Sequence, residues 1–216
     1  MKLLAIETSG TLCGAAILED EKLIDKIELE NGLTHSQNLM PIIKDLLEKN
    51  NFKISDFETF VCDIGPGSFT GIRIGVATVK AFIDSLENVK YTGVSSLEAL
   101  AYNINKEGLI CSVIDCKNDN CYFALYEFKN NNYTELIPPT SASISEMKEK
   151  LKSYSNITFV GDGATNNLNK INITNLGIAG YKKISNNNTL ELLPMYLKKP
   201  QAQRQLEEKE GLNNGN

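Results

Sequence analysis

Apolar and polar positions alternate in short blocks at the start of the chain: "KLLAI" (2 to 6), "ETSGT" (7 to 11), "CGAAIL" (13 to 18) and "KLIDKIELE" (22 to 30). Short apolar runs bounded by Gly, Ser and Thr predict strands, so the opening reads as three strands joined by tight turns. The period then lengthens. In "HSQNLMPIIKDLLEKN" (35 to 50), Leu39, Ile43, Leu46 and Leu47 recur at helical spacing, which predicts a helix from Ser36 to Asn50. His35 is then a helix-entry residue beside a capping Ser36. Next, "TFVCDIGPG" is an apolar strand that ends in a glycine turn, and a second helix follows it.

The plan is written twice. A shift of 108 residues places "LICSVIDCKNDNCYFALY" on the opening hairpin, with Ile6 and Glu7 on Ile114 and Asp115, Cys13 on Cys121, and Ala16 on Ala124. The strand-to-glycine turn also recurs, as "ITFVGDGA". The pattern predicts an α/β protein of two duplicated lobes, residues 1–105 and 106–216, each a mixed sheet with flanking helices and joined near Asn103 to Gly108. The stretch "TNNLNKINITNLGIAG" averages polar and reads as a poor nucleotide lid. The polar tail from Gln201 to Glu210 reads as at most a solvated helix.

The corner "DIGPGSFTGIRIGVATVKAF" (63 to 82) has the glycine content of a phosphate cradle but the wrong spacing. A P-loop closes with Gly-Lys-Ser/Thr where this chain has Gly71-Ile72-Arg73, and a dinucleotide fingerprint needs glycine where Thr70 stands. Ser68 is placed to cap the helix. Gly71 and Gly75, four apart inside that helix, each cost about 1 kcal/mol relative to alanine, a cost that a close backbone approach would justify. The apolar arcs of both helices are wider than one sheet face requires, so Leu39, Met40, Ile42 and Ile43 on the first, with Gly71, Ile72, Gly75 and Val79 on the second, are expected to form a partner surface. Arg73, in the disfavoured first turn of a chain with two arginines, is expected to meet an anion on that partner, in a nucleotide, or on an internal carboxylate such as Asp63.

Composition narrows the function. A net charge of −5 and the lack of a Lys/Arg block argue against direct nucleic-acid binding. Five cysteines without a C-x-x-C pair suggest neither a disulfide framework nor a zinc ribbon, and the longest apolar runs are far short of a membrane span. Reduced thiols and a cytoplasmic location are expected. Glu7, Thr8 and Ser9 on one hairpin, with Asp115, Gly161 and Gly163 in the other half, would border a cleft between the lobes, either a working nucleotide site or a vestige of one.

The motif "GPGSFTGIRIG" (65 to 75), with "LAIETS", "HSQNLMPII", "TGVSSLEALA", "GDGA" and "PMYLKKPQAQRQ" in order along the chain, resembles the bacterial TsaB (YeaZ) family. The resemblance implies the duplicated actin-like, Hsp70-like and sugar-kinase fold. It also implies a non-catalytic subunit that binds a TsaD-type catalytic subunit and acts with a TsaE-type ATPase to place threonylcarbamoyl on adenosine 37 of tRNA. Further implications are tRNA contact only through the complex, no membrane, no tightly bound cofactor, and ATP or ADP at most at the joint interface; a homodimer in isolation stays open. A stand-alone ATPase or small-molecule kinase of the same fold is the competing reading. A metallopeptidase is disfavoured, because a His-x-x-x-His site needs two histidines and the chain has one. Elemental analysis of the purified protein is therefore expected to find no stoichiometric zinc or iron; one tightly held metal per chain would overturn this.

Overall fold

The computed structural model describes residues 1–30, 34–164 and 170–198. The tail expected to be a solvated helix, Gln201 to Glu210, lies outside the described residues. Strand β1 (Lys2–Glu7) lies between β2 (Cys13–Glu19) and β4 (Thr59–Asp63) in a sheet of order β3-β2-β1-β4-β5, with β3 at Lys22–Leu29 and β5 at Lys90–Val94. The second sheet has the order β8-β7-β6-β9, from β6 (Gly108–Asp115), β7 (Asn120–Lys129), β8 (Asn132–Ser143) and β9 (Ile157–Val160). Its four strands repeat the first four positions of the other sheet, with an antiparallel hairpin, a third strand on its outer side and a parallel strand on the other. The duplication read from the sequence is the architecture of the molecule.

The strands alternate their side chains between two cores. Leu4, Ile6, Ala15 and Ile17 face α1 (His35–Lys49) and α2 (Phe69–Asp84), whereas Leu3, Ala5, Ala16 and Leu18 face the opposite way. Both faces of β1 and β2 are covered, which is why these strands read as nearly continuous apolar runs. The second core of this sheet is closed by α5 (Ile173–Ser185), a helix from the second half of the chain. Conversely α3 (Ser96–Ala101), from the first half, packs Leu97, Leu100 and Ala101 against Ile110, Ala124, Tyr126 and Val160 of the second sheet. The other face of that sheet is covered by α4 (Ile144–Leu151) through Met147 and Leu151.

A division of the chain at residue 105 therefore does not coincide with the division of the cores. Each half leaves the inner face of its own sheet bare, and the halves exchange a helix to cover them. Helix α5 takes up the second part of the asparagine-rich stretch. Ile173, Leu176 and Ala179 are fully buried and Asn172 caps the helix by accepting from Thr174 N at 3.0 Å. An apolar stripe at spacing three carries the packing although the segment averages polar.

Two caps separate expectation from outcome. Ser68 caps α2 as expected, its hydroxyl accepting from Gly71 N at 3.2 Å. Helix α1 is capped two residues earlier than expected: Thr34 is the cap, its backbone N–H donating to Gln37 Oε1 at 3.3 Å, and His35 and Ser36 are the first helical residues. Gln37 three residues after Thr34 is the signal that marks the true cap.

A side chain at Gly71 would overlap the Thr8 carbonyl oxygen, and one at Gly75 would overlap Thr8 Oγ1. Helix α2 thus lies directly on the end of β1. Gly71→Ala is expected to lower stability by about 1 to 3 kcal/mol in a urea melt through overpacking, reversing the gain of about 1 kcal/mol that alanine brings to an unconstrained helix. An unchanged or higher midpoint would show that the contact is not tight.

Candidate functional site

Parallel pairing of β1 with β4, Ile6 opposite Cys62, brings both strands to their carboxyl ends at one edge of the sheet. Open α/β sheets place their ligand sites at such an edge. There Glu7 and Asp63 close their strands side by side, 1% and 0% exposed. Ser9 joins them: its N and Oγ both donate toward Glu7 Oε1 at 2.7 Å, and its Oγ lies 3.1 Å from Asp63 Oδ2. Asp63 Oδ1 accepts from Gly65 N at 2.6 Å and from Ser96 Oγ at 2.7 Å.

Glu7 Oε2 is buried and completes no hydrogen bond among the described residues, and the Asp63 carboxyl lies beside Glu7. Two buried carboxyls this close disfavour the doubly charged state. Burial pushes the Glu7 carboxyl well above its usual range, and the neighbouring Asp63 adds to the effect. Burial also raises Asp63, opposed by its bonds to Glu7, Gly65, Ser96 and Ser9. Glu7 is pushed up further than Asp63, because the Asp63 charge adds to its burial.

The second half does not complete this group. Asp115 pairs with the Lys117 ammonium at 2.7 Å, which lowers its pKa, and its backbone N donates to Asp162 Oδ1 at 2.8 Å. Glu7 and Asp115, equivalent in the repeat, are not a matched acid and base across the cleft: one is buried with its pKa pushed up, the other is tied to a lysine. Gly163 N donates to Val113 O at 3.1 Å, so the glycine turn closes back on β6. The partner of Glu7 is Asp63, which sequence reasoning placed only as a candidate for Arg73; the available signal was a carboxylate ending an apolar strand, as Glu7 does.

The cavity at Glu7 is small. About 110 Å³ is enclosed by the hairpin residues Glu7, Ser9 and Thr11, by Pro66 and Gly67 of the corner, and by Ile114, Asp162 and Lys170. Cavities that hold drug-sized ligands span roughly 300 to 1,000 Å³. The corner is tied to the hairpin, Ser68 N donating to Ser9 O at 2.7 Å and Thr8 Oγ1 to Gly71 O at 2.8 Å. Among the described residues no cluster of three His, Cys, Asp or Glu could hold a metal ion, and no helix is long and apolar enough to cross a membrane. His35 uses Nε2 to reach Gly10 O at 2.9 Å, a packing role at the same hairpin.

The residues expected on a partner surface divide sharply. Leu39, Ile42, Ile43, Ile72 and Val79 are at most 1% exposed and belong to the core between α1, α2 and the sheet. Gly71 and Gly75 are buried against Thr8. The wide apolar arcs are explained by the two helices covering each other as well as the sheet, so these seven positions are internal. Met40, 50% exposed, and Arg73, also exposed, remain on the surface. Arg73 meets neither Asp63 nor any other carboxylate among the described residues. Its Nε donates to Tyr196 Oη at 2.6 Å, its guanidinium lies 5.4 Å from the Tyr196 ring centroid, and Phe69 stacks on that ring at 4.9 Å.

These features define a two-lobed α/β protein built from two repeated mixed sheets, with Glu7 and Asp63 buried at the foot of its cleft. The family model described as TsaD, tRNA N6-adenosine threonylcarbamoyltransferase, matches residues 31–208. Proteins named as the tRNA threonylcarbamoyladenosine biosynthesis protein TsaB are similar to the chain: that of Bacillus subtilis is 34% identical over 153 residues, 70% of this chain and 66% of the relative, and that of Escherichia coli is 29% identical over 134 residues, 61% and 57%. The chain thus spans less than two thirds of the length of either relative. A crystal structure of YeaZ from Pseudomonas aeruginosa has the same fold, with a TM-score of 0.71 at 20% identity over 91% of this chain and 99% of that one. The chain belongs to the tRNA N6-adenosine threonylcarbamoyltransferase family and, within it, to the TsaB (YeaZ) group.

The buried pair generates a pH dependence. An unfolded glutamate ionises near its usual value of about 4.3, while folded Glu7 keeps its proton above it. The native state then binds more protons, and stability falls as pH rises from the ordinary carboxylate range toward the raised value. Glu7→Gln is expected to flatten this fall, with stability relative to the parent rising by up to about 1.4 kcal/mol per pH unit across that window. Parallel urea-derived stability curves for the two proteins would show that Glu7 is ionised in the fold.

Proposed function

We propose that this chain is a non-catalytic partner subunit of the machinery that adds threonylcarbamoyl to adenosine 37 of tRNA. It binds a TsaD-type catalytic subunit, acts with a TsaE-type ATPase, and reaches tRNA only through the complex. The observation that carries the reading is the crowded cleft, in which Glu7 and Asp63 are buried side by side and take up the Ser9 and Ser96 hydroxyls and the backbone N–H groups of Ser9, Gly10 and Gly65. Carboxyls so engaged are poorly placed to hold a solvated cation or activate water, and the 110 Å³ beside them is small for a nucleotide. ATP or ADP, where it takes part, belongs at the joint interface with the partner.

The partner face in this proposal is the outer side of α1 and α2, marked by Met40, Arg73 and the adjoining Tyr196, 41% exposed. Family membership supports a protein partner, and exposed Met, Tyr and Arg are residue types that interfaces favour. The competing reading, a stand-alone ATPase or kinase, is tested by isothermal titration of the isolated protein with ATP and Mg²⁺: no micromolar binding is expected, and binding with turnover would overturn the proposal.

The face itself is tested by Met40→Glu and Arg73→Ala. Both are expected to leave the melting temperature of the chain unchanged while weakening association with a TsaD-type protein by about 1 to 3 kcal/mol, measured by titration. Loss of thermal stability with association intact would move both residues to a purely internal role. Sedimentation of the isolated chain shows whether a homodimer competes for the same face.

A further inference from the structure

A second cavity lies between the lobes and shares no lining residue with the cleft at Glu7. Its volume is about 330 Å³, within the range of small-molecule sites. Helix α3 contributes Glu98, α5 contributes Lys183, β7 and β8 contribute Tyr126 and Glu135, and the segment after α5 contributes Leu190 and Met195. Tyr126 and Glu135 stand directly opposite each other in the β7–β8 register, next to the point where that register slips between Phe123 and Tyr126. Such irregularities re-aim side chains and recur beside binding sites.

Two features point to a ligand. Tyr126 is 2% exposed, and its hydroxyl, although beside Ser95, completes no hydrogen bond of ordinary geometry. A buried hydroxyl left in that state costs about 1 to 3 kcal/mol, and folded proteins keep few of them. The charges in the cavity also fail to balance. Glu98 and Lys183 pair at 3.0 Å, both largely buried, and compensate each other. Glu135 is a second carboxylate that makes no ion pair among the described residues. The cavity therefore carries at its exposed rim a carboxylate with no ion pair among the described residues, together with an unpartnered buried hydroxyl and an apolar wall.

We propose that this cavity binds a small organic cation, with a primary ammonium on Glu135, an oxygen acceptor at Tyr126 Oη, and an apolar body along Leu190 and Met195. The occupant would lie against the segment that holds the glycine corner in place, since Leu190 N donates to Thr92 Oγ1 at 2.9 Å and Met195 N to Ile64 O at 2.7 Å. Nothing in this depends on the tRNA-modification reading, and its test does not involve the partner proteins.

The test uses the full chain with ¹³C-labelled tyrosine and three probes of matched length: aminopentanol, the neutral pentanediol and the anionic hydroxypentanoate. Aminopentanol is expected to shift the Tyr126 ring resonances saturably and to raise the melting temperature, while the diol and the anion do neither. Glu135→Gln, at an exposed position that the fold does not rely on, is expected to weaken aminopentanol binding roughly tenfold, the value of one modest charge contact, and Tyr126→Phe is expected to weaken it as well. Absence of saturation, equal binding of the diol and the amine, or an unaltered affinity in Glu135→Gln would each overturn the proposal and leave water as the content of the cavity.

Discussion

The seating of helix α2 on the end of strand β1 governs much of the rest of the molecule. Gly71 and Gly75 remove the side chains that would strike Thr8, Thr8 Oγ1 donates to Gly71 O, and Ser68 N donates to Ser9 O. Once the helix is that close, the first hairpin and the glycine corner meet, and the two strand-end carboxyls between them lose contact with water. They respond as buried acids must, with raised pKa values and by drawing in hydroxyl and backbone donors. The corner is therefore a packing device first. Its glycines serve contact with Thr8 and Ser9, which is why they lack the spacing of a phosphate loop.

Exchange of helices between the halves has an equally direct consequence. Because α3 covers the second sheet and α5 the first, the Glu98–Lys183 pair lies between elements that come from opposite halves of the chain. The lobes are held by shared cores rather than by a thin contact. The segment after α5 continues the same logic: Leu190 bridges Gly93, Leu192 is buried in the first core, and Tyr196 ends against Phe69 and Arg73. An arginine that would be repelled by the helix N-terminus is held instead by a phenol and a ring face, where a planar guanidinium stacks well.

Legibility followed the range of the physical cause. The opening hairpins, the 108-residue repeat, the two glycine turns and the Ser68 cap depend on neighbours close in the chain, and period and turn chemistry exposed them. The candidate site was half legible. The repeat aligns Glu7 with Asp115 across the cleft, whereas the carboxyl beside Glu7 is that of Asp63, at the end of the adjacent parallel strand. Parallel register is set by a crossover through α1 and has no local signature.

The amino-acid sequence by itself determined the class of the protein, its internal duplication and its lack of histidine pairs, because composition and periodicity survive without coordinates, and its motifs carried the resemblance to the TsaB group. Only the tertiary structure decided which apolar faces are core and which are surface. Ile42 and Met40 look equally apolar in the sequence, yet one is sealed between two helices and the other is half in water. The same holds for the buried Glu7 and the paired Asp115. Burial and charge state depend on every element packed around a residue, and those elements come from distant parts of the chain.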